Sequence, residues 1–225
     1  MLSNYIKGFV ALMALSVSFV VTSIYLDSQS FNTPRSYVHK IYQLREGCIE
    51  PSRECVSGSG SAVMVAPGLA LTVAHVAGNK KLYILGKQVT TVKIDEERDI
   101  ALVSVALDCP CAPIGSMPNL DDKVVAVGWP LGAVEFATEG RVQGWDRFRI
   151  WSNSPIAPGN SGGGLFAFQM GQWKLIGLTV EVAGLNLGFF GIPVVTMTRS
   201  VDVNTIIYFI HHIHSEDTKR DLERQ

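Results

Sequence analysis

The apolar positions change rhythm along this chain. Gly8 to Leu26 is a run of nineteen residues without a charge, bounded by Lys7 and Asp27. A helix of that length reaches roughly 28 Å, close to the hydrocarbon thickness of a bilayer. An N-terminal transmembrane helix within residues 1–26 is therefore predicted. Residues 27–47 are mixed and polar, and read as a linker with room for one short helix. From residue 48 to residue 200 short β-rich runs alternate with turn residues. The predicted strands are Ser61–Ala66, Ala70–Ala74, Lys81–Leu85, Gln88–Ile94, Ile100–Ala106, Lys123–Gly128, Val134–Val142, Arg149–Ser152, Gly164–Gln169, Trp173–Val180 and Gly188–Pro193. Pro67-Gly68 and Gly171 mark tight turns between neighbours. Many short strands at roughly eight- to twelve-residue spacing predict an all-β sandwich or barrel. In residues 201–225 the rhythm becomes helical at Ile206, Ile207, Phe209, Ile210 and Ile213, and the segment ends in a charged tail.

Composition narrows this picture. The chain has 225 residues, 47% hydrophobic and 17% charged, and 19 Lys+Arg against 20 Asp+Glu leave a formal net charge of −1. So many apolar residues can build a core, which excludes a disordered chain. The charge balance offers no handle for nucleic acid, so no nucleic-acid partner is expected.

The N-terminal run has two readings. A cleaved signal peptide would use Lys7 in its n-region, but Val21-Thr22-Ser23 is a poor small-residue cleavage site. The run is also long for a secretory h-region, and an uncleaved anchor is preferred. Arg35 and Lys40 compete with Lys7, so basic residues leave the orientation open. The four cysteines, Cys48, Cys55, Cys109 and Cys111, lack the paired knuckles of a zinc ribbon and read as disulfide formers. Closure of Cys48 with Cys55, and a tie from that segment to Cys109 or Cys111, are both open. Disulfides place the β-rich body outside the cytoplasm. The expectation is a single-pass membrane protein with an extracytoplasmic domain, or a secreted one if the segment is cleaved.

Three local motifs follow one another on the β-rich body. Leu71-Thr72-Val73-Ala74-His75 is a strand running into a histidine. Asp99-Ile100-Ala101-Leu102-Val103 is an acid opening an apolar strand. Pro158-Gly159-Asn160-Ser161-Gly162-Gly163-Gly164 is a serine among glycines, which let the backbone turn sharply and approach a ligand. Successive N–H groups in such a turn converge on an oxyanion. Singly each motif is weak; together they supply what acyl transfer needs. A hydroxyl becomes nucleophilic when a base takes its proton, and an imidazole base needs a carboxylate to fix its tautomer. Asp95 is the rival acid, without the apolar strand that follows Asp99. His211-His212-x-His214 reads as a solvated helix face rather than a metal site.

These segments, with Gly60-Ser61 ahead of the first and Gly188-Phe189-Phe190-Gly191-Ile192-Pro193 near the end, resemble the trypsin-like serine proteases. The HtrA/Deg-type branch is the nearest in pattern, and the resemblance covers Val56 to Thr198. It implies two six-stranded antiparallel β-barrels over residues 48–200 with the active site between them. It implies that Ser161 attacks a peptide carbonyl, that His75 takes and returns the proton, and that Asp99 orients His75. The N–H groups of Gly159 and Ser161, with Asn160 between them, would form the oxyanion hole. Protein or peptide substrates are implied, with no metal and no organic cofactor. A catalytically silent module of the same fold, binding peptides or a membrane partner, is the alternative.

The departures from the family pattern carry expectations too. Asn160 stands where zymogen-type members carry an aspartate, so activation by cleavage is not expected. Gly164 replaces a proline. No PDZ domain is expected after Ser200, since about 25 residues are far too few for a domain. The resemblance implies that Pro155, ahead of Ser161, lies at the floor of the S1 pocket, with Val180, Glu181 and Val182 at its wall. No acid lies at that floor, and the valines predict small or medium aliphatic P1 residues.

Overall fold

A computed structural model describes residues 30–48, 52, 54–78, 81–108, 110–186 and 193–222. The predicted membrane segment and the Gly188–Ile192 stretch lie outside the described residues. No described helix is long and apolar enough to cross a membrane.

A short helix α1 (Asn32–Ser36) leads into strands β1 (Val38–Leu44), β2 (Val56–Ala66) and β3 (Leu69–Thr72). A one-turn helix α2 (Ala74–Ala77) follows, then β4 (Leu82–Ile84), β5 (Lys87–Asp95) and β6 (Ile100–Val105). These six strands close into an antiparallel barrel in the order β1-β2-β3-β6-β5-β4. A connection leads to β7 (Lys123–Gly128), a 3₁₀ turn (Pro130–Gly132), β8 (Phe136–Asp146) and β9 (Arg149–Ser152). The series ends with β10 (Gly164–Gln169), β11 (Gln172–Asn186), β12 (Pro193–Asp202) and helix α3 (Val203–Leu222). The second barrel closes in the order β10-β11-β12-β9-β8-β7.

Two strands differ from the sequence reading. Val38–Leu44, read as part of a linker, is a barrel strand paired with β2 on one side and β4 on the other. Its polar residues His39, Lys40 and Gln43 mask an apolar set of Val38, Ile41, Tyr42 and Leu44, all buried. Pro193–Asp202 closes the second barrel between β11 and β9. Of the disulfide alternatives, the structure forms Cys48–Cys55, which ties the β1–β2 connection to itself.

The strands that face each other across the molecule are apolar on both sides, and their period of two sorts the side chains into layers. Ala62 and Met64 point into the first barrel, while Val63 between them joins a second cluster. Ala101 and Val103 alternate with Ile100 and Leu102 in the same way. In the second barrel Val124, Ala126, Leu165 and Ile176 fill the interior, and Val125, Val127, Phe166 and Leu175 join that shared cluster. The shared cluster, with Trp173 1% exposed, is the layer between the barrels. From α3, Ile206 and Phe209 pack into it as well.

Candidate active site

His75 stands on α2, one turn after β3, rather than at a strand end. The short helix aims its imidazole at Asp99, in the turn between β5 and β6. His75 Nδ1 lies 2.8 Å from Asp99 Oδ2, and the His75 backbone N–H donates to Asp99 Oδ1 at 3.0 Å. This two-point contact fixes both ring and carboxylate. Burial works against the Asp99 anion, but the His75 hydrogen bonds and the nearby Arg149 charge hold its carboxyl below the usual range. The rival Asp95 pairs with Arg98 at 2.8 Å.

Ser161 comes from the second barrel and lines one cleft with His75 and Asp99. The first barrel holds its backbone, as Ser61 N–H donates to Ser161 O at 2.8 Å. Gly162 follows with φ +86°, and a Cβ there would sit 2.1 Å from Ser61 O. Only glycine fits, so the Ser161-Gly162 pair is what lets the barrels meet at Ser161. Ser161 Oγ donates to Val180 O at 2.9 Å, its one hydrogen bond among the described residues. The hydroxyl hydrogen thus points to a backbone carbonyl of β11.

Ahead of Ser161, Ala157 to Asn160 form a β-turn closed by Asn160 N–H donating to Ala157 O at 3.0 Å. Pro158 and Gly159 occupy its centre, and Gly159 has φ +99°, the arrangement of a type II turn. The Pro158 carbonyl accepts from Leu131 N–H at 2.6 Å. Across a trans peptide N–H and C=O point in opposite directions, so Gly159 N–H is directed away from Leu131. Neither it nor Ser161 N–H has an acceptor among the described residues. Asn160 N–H is consumed within the turn, and its side chain is 2% exposed.

The cleft of about 570 Å³ beside Ser161 is lined by Ile156, Ala157 and Pro158 on one side and Val180, Glu181 and Val182 on the other. Pro155 is exposed and absent from that lining, and its carbonyl accepts from Thr138 Oγ1 at 2.6 Å. Ile156, one residue on, is what reaches the cleft. Glu181 is turned to the rim and pairs with Arg199 at 2.7 Å. Arg149 also lines this cleft and was not among the residues read from the sequence, since an arginine opening a strand reads as surface. It is 8% exposed and donates to Arg98 O at 2.9 Å. Across Ser161 a second hollow of about 180 Å³ is lined by Ile41, Tyr42, Gly60, Val76 and Leu82. No cluster of metal-ligating side chains occurs among the described residues.

The family model for the trypsin-like peptidase domain matches residues 60–178. No curated protein sequence matches the chain. Among solved structures, the serine endoprotease from Yersinia pestis is similar with a TM-score of 0.65 and 20% identity, covering 82% of this chain and 66% of that one. The HtrA-type protease AlgW with a tripeptide is similar with a TM-score of 0.67 and 21% identity, covering 84% of this chain and 63% of that one. This chain thus spans just under two thirds of the length of both, and at such identity the likeness is one of fold. The family model, by contrast, matches more than half of the sequence from the first barrel into the second, and the chain belongs to the trypsin-like peptidase domain family.

Proposed function

We propose that the protein is a serine endopeptidase working through Ser161, His75 and Asp99. The observation that carries this reading is the two-point contact of His75 with Asp99, 2.8 Å and 3.0 Å, in the same cleft as Ser161. Rotation of Ser161 Oγ toward His75 Nε2 starts the reaction. The oxygen forms a bond to the peptide carbonyl carbon while its proton passes to Nε2. Charge on the carbonyl oxygen is met by Gly159 and Ser161 N–H, where one such donor is typically worth about 10²–10³ in turnover. The C–N bond then breaks and His75 returns the proton to the leaving amine. Water hydrolyses the acyl-enzyme by the same steps in reverse.

Val180, Val182 and Ile156 favour a small or medium aliphatic side chain at P1, such as Val, Ala or Leu. A peptide library cleaved mainly after Lys, Arg or Glu would overturn that preference. The membrane is engaged through residues 1–26, with the barrels outside the cytoplasm. The Cys48–Cys55 disulfide supports an oxidising compartment.

The turn of Ser161 Oγ to Val180 O favours the second reading, a silent module that binds peptides. A fluorophosphonate probe on the full chain decides between them. Stoichiometric label on Ser161, lost in Ser161→Ala and His75→Ala, is the expected result. A folded wild type that takes no label supports the silent module.

A further inference from the structure

We propose that Ser61 is a positioning residue for the oxyanion turn, acting through Gly159 from the opposite barrel. This rests on the peptidase reading of the site. Ser61 lies in β2 and is 0% exposed. Its hydroxyl donates to Gly159 O at 2.8 Å and accepts from Trp129 N–H at 2.9 Å. Its carbonyl accepts from Thr72 Oγ1 at 2.7 Å, and its N–H holds Ser161 O at 2.8 Å. One buried residue of the first barrel thus grips the second barrel on both sides of Asn160.

The direction of Gly159 N–H depends on two peptide planes. Leu131 N–H fixes the Pro158–Gly159 plane, and Ser61 Oγ fixes the Gly159–Asn160 plane. The same hydroxyl ties down Trp129, which begins the 3₁₀ turn that carries Leu131. Around Gly159 the fit is close: a Cβ there would lie 2.6 Å from Trp129 O and 2.8 Å from Leu131 N. Leu131 itself has φ +54° and is 78% exposed, so this loop is held in a costly conformation with little burial to hold it. Ser61, together with Lys40 Nζ donating to Gly132 O, ties this loop to the first barrel. Without its hydroxyl, Gly159 O and Trp129 N–H lose their common partner, and the turn is free to rotate Gly159 N–H out of register with a developing oxyanion.

The test compares wild type, Ser61→Ala and Ser61→Thr in the full chain, using a valyl p-nitroanilide peptide and the matching peptide boronic acid. Ser61→Ala is expected to lower kcat by about tenfold to a hundredfold, below the loss of a whole donor, with KM within about twofold. Boronic acid binding should weaken by the same factor as kcat, and Ser61→Thr should recover most of both. A crystal structure of Ser61→Ala should show the Gly159 peptide rotated or in two orientations. An unchanged kcat, a loss confined to KM, or an unmoved turn in that crystal structure overturns the proposal. If Ser61→Ala fails to fold, Ser61→Cys serves, and full activity there overturns it as well. A wild type that takes no fluorophosphonate label counts against the peptidase reading instead, and the crystal structure still decides the role of Ser61.

Discussion

Asp99 holds φ at +52°, a left-handed conformation that costs a residue with a side chain of order 1 kcal/mol or more. The return is geometric, since both carboxylate oxygens reach His75 from that turn. Asp99→Asn keeps the shape and loses the charge and the tautomer control, so kcat should fall by about 10⁴. The sign of the pH effect follows from the lowered carboxyl. Its stabilisation is fully present above the ordinary value of 3.8 and is lost as pH falls through the lowered one. Melting temperatures of wild type and Asp99→Asn should therefore differ by a constant amount near neutrality and converge in strong acid. The three residues of the proposed triad stood out in the sequence because their motifs occur in order around a β-rich body. Arg149 and Ser61 were not. Nothing in the spacing of a strand-opening arginine, or of a serine within Gly58-Ser59-Gly60-Ser61, says that the fold will bury it against the other barrel.

Among the elements, β1 shows where pattern reading ran out. Its three polar residues interrupt four apolar ones in the string VHKIYQL, and its buried positions follow no strict alternation because both barrel interior and barrel interface draw on it. Strands such as Ile100–Val105, apolar on every side, were plain. The β1–β2 connection carries the Cys48–Cys55 disulfide, with a sequence separation of 7. A loop that short removes modest entropy from the unfolded chain, so the double variant Cys48→Ser/Cys55→Ser should lose about 2 kcal/mol in a denaturant titration. A loss well above that would mean that the bridge also shapes the folded loop.

For the molecule as a whole, the layer between the barrels is the main structural fact. Phe166 is 0% exposed and sits there beside Trp173 and Leu175 rather than inside either barrel. Phe166→Ala should destabilise the protein by about 3–5 kcal/mol. Because the layer couples the barrels, calorimetry should show one transition in wild type. Two separated transitions would show that each barrel melts alone.

That layer also decides what a cut in the chain can do. His75 and Asp99 belong to one barrel and Ser161 to the other, and residues 106–122 join the two along the chain. On the proposed mechanism, activity depends on contact rather than on continuity. A nick in that stretch would leave a working molecule for as long as the halves adhere. Two separately made halves would act as a complementation pair, silent apart, with a signal that reports their encounter.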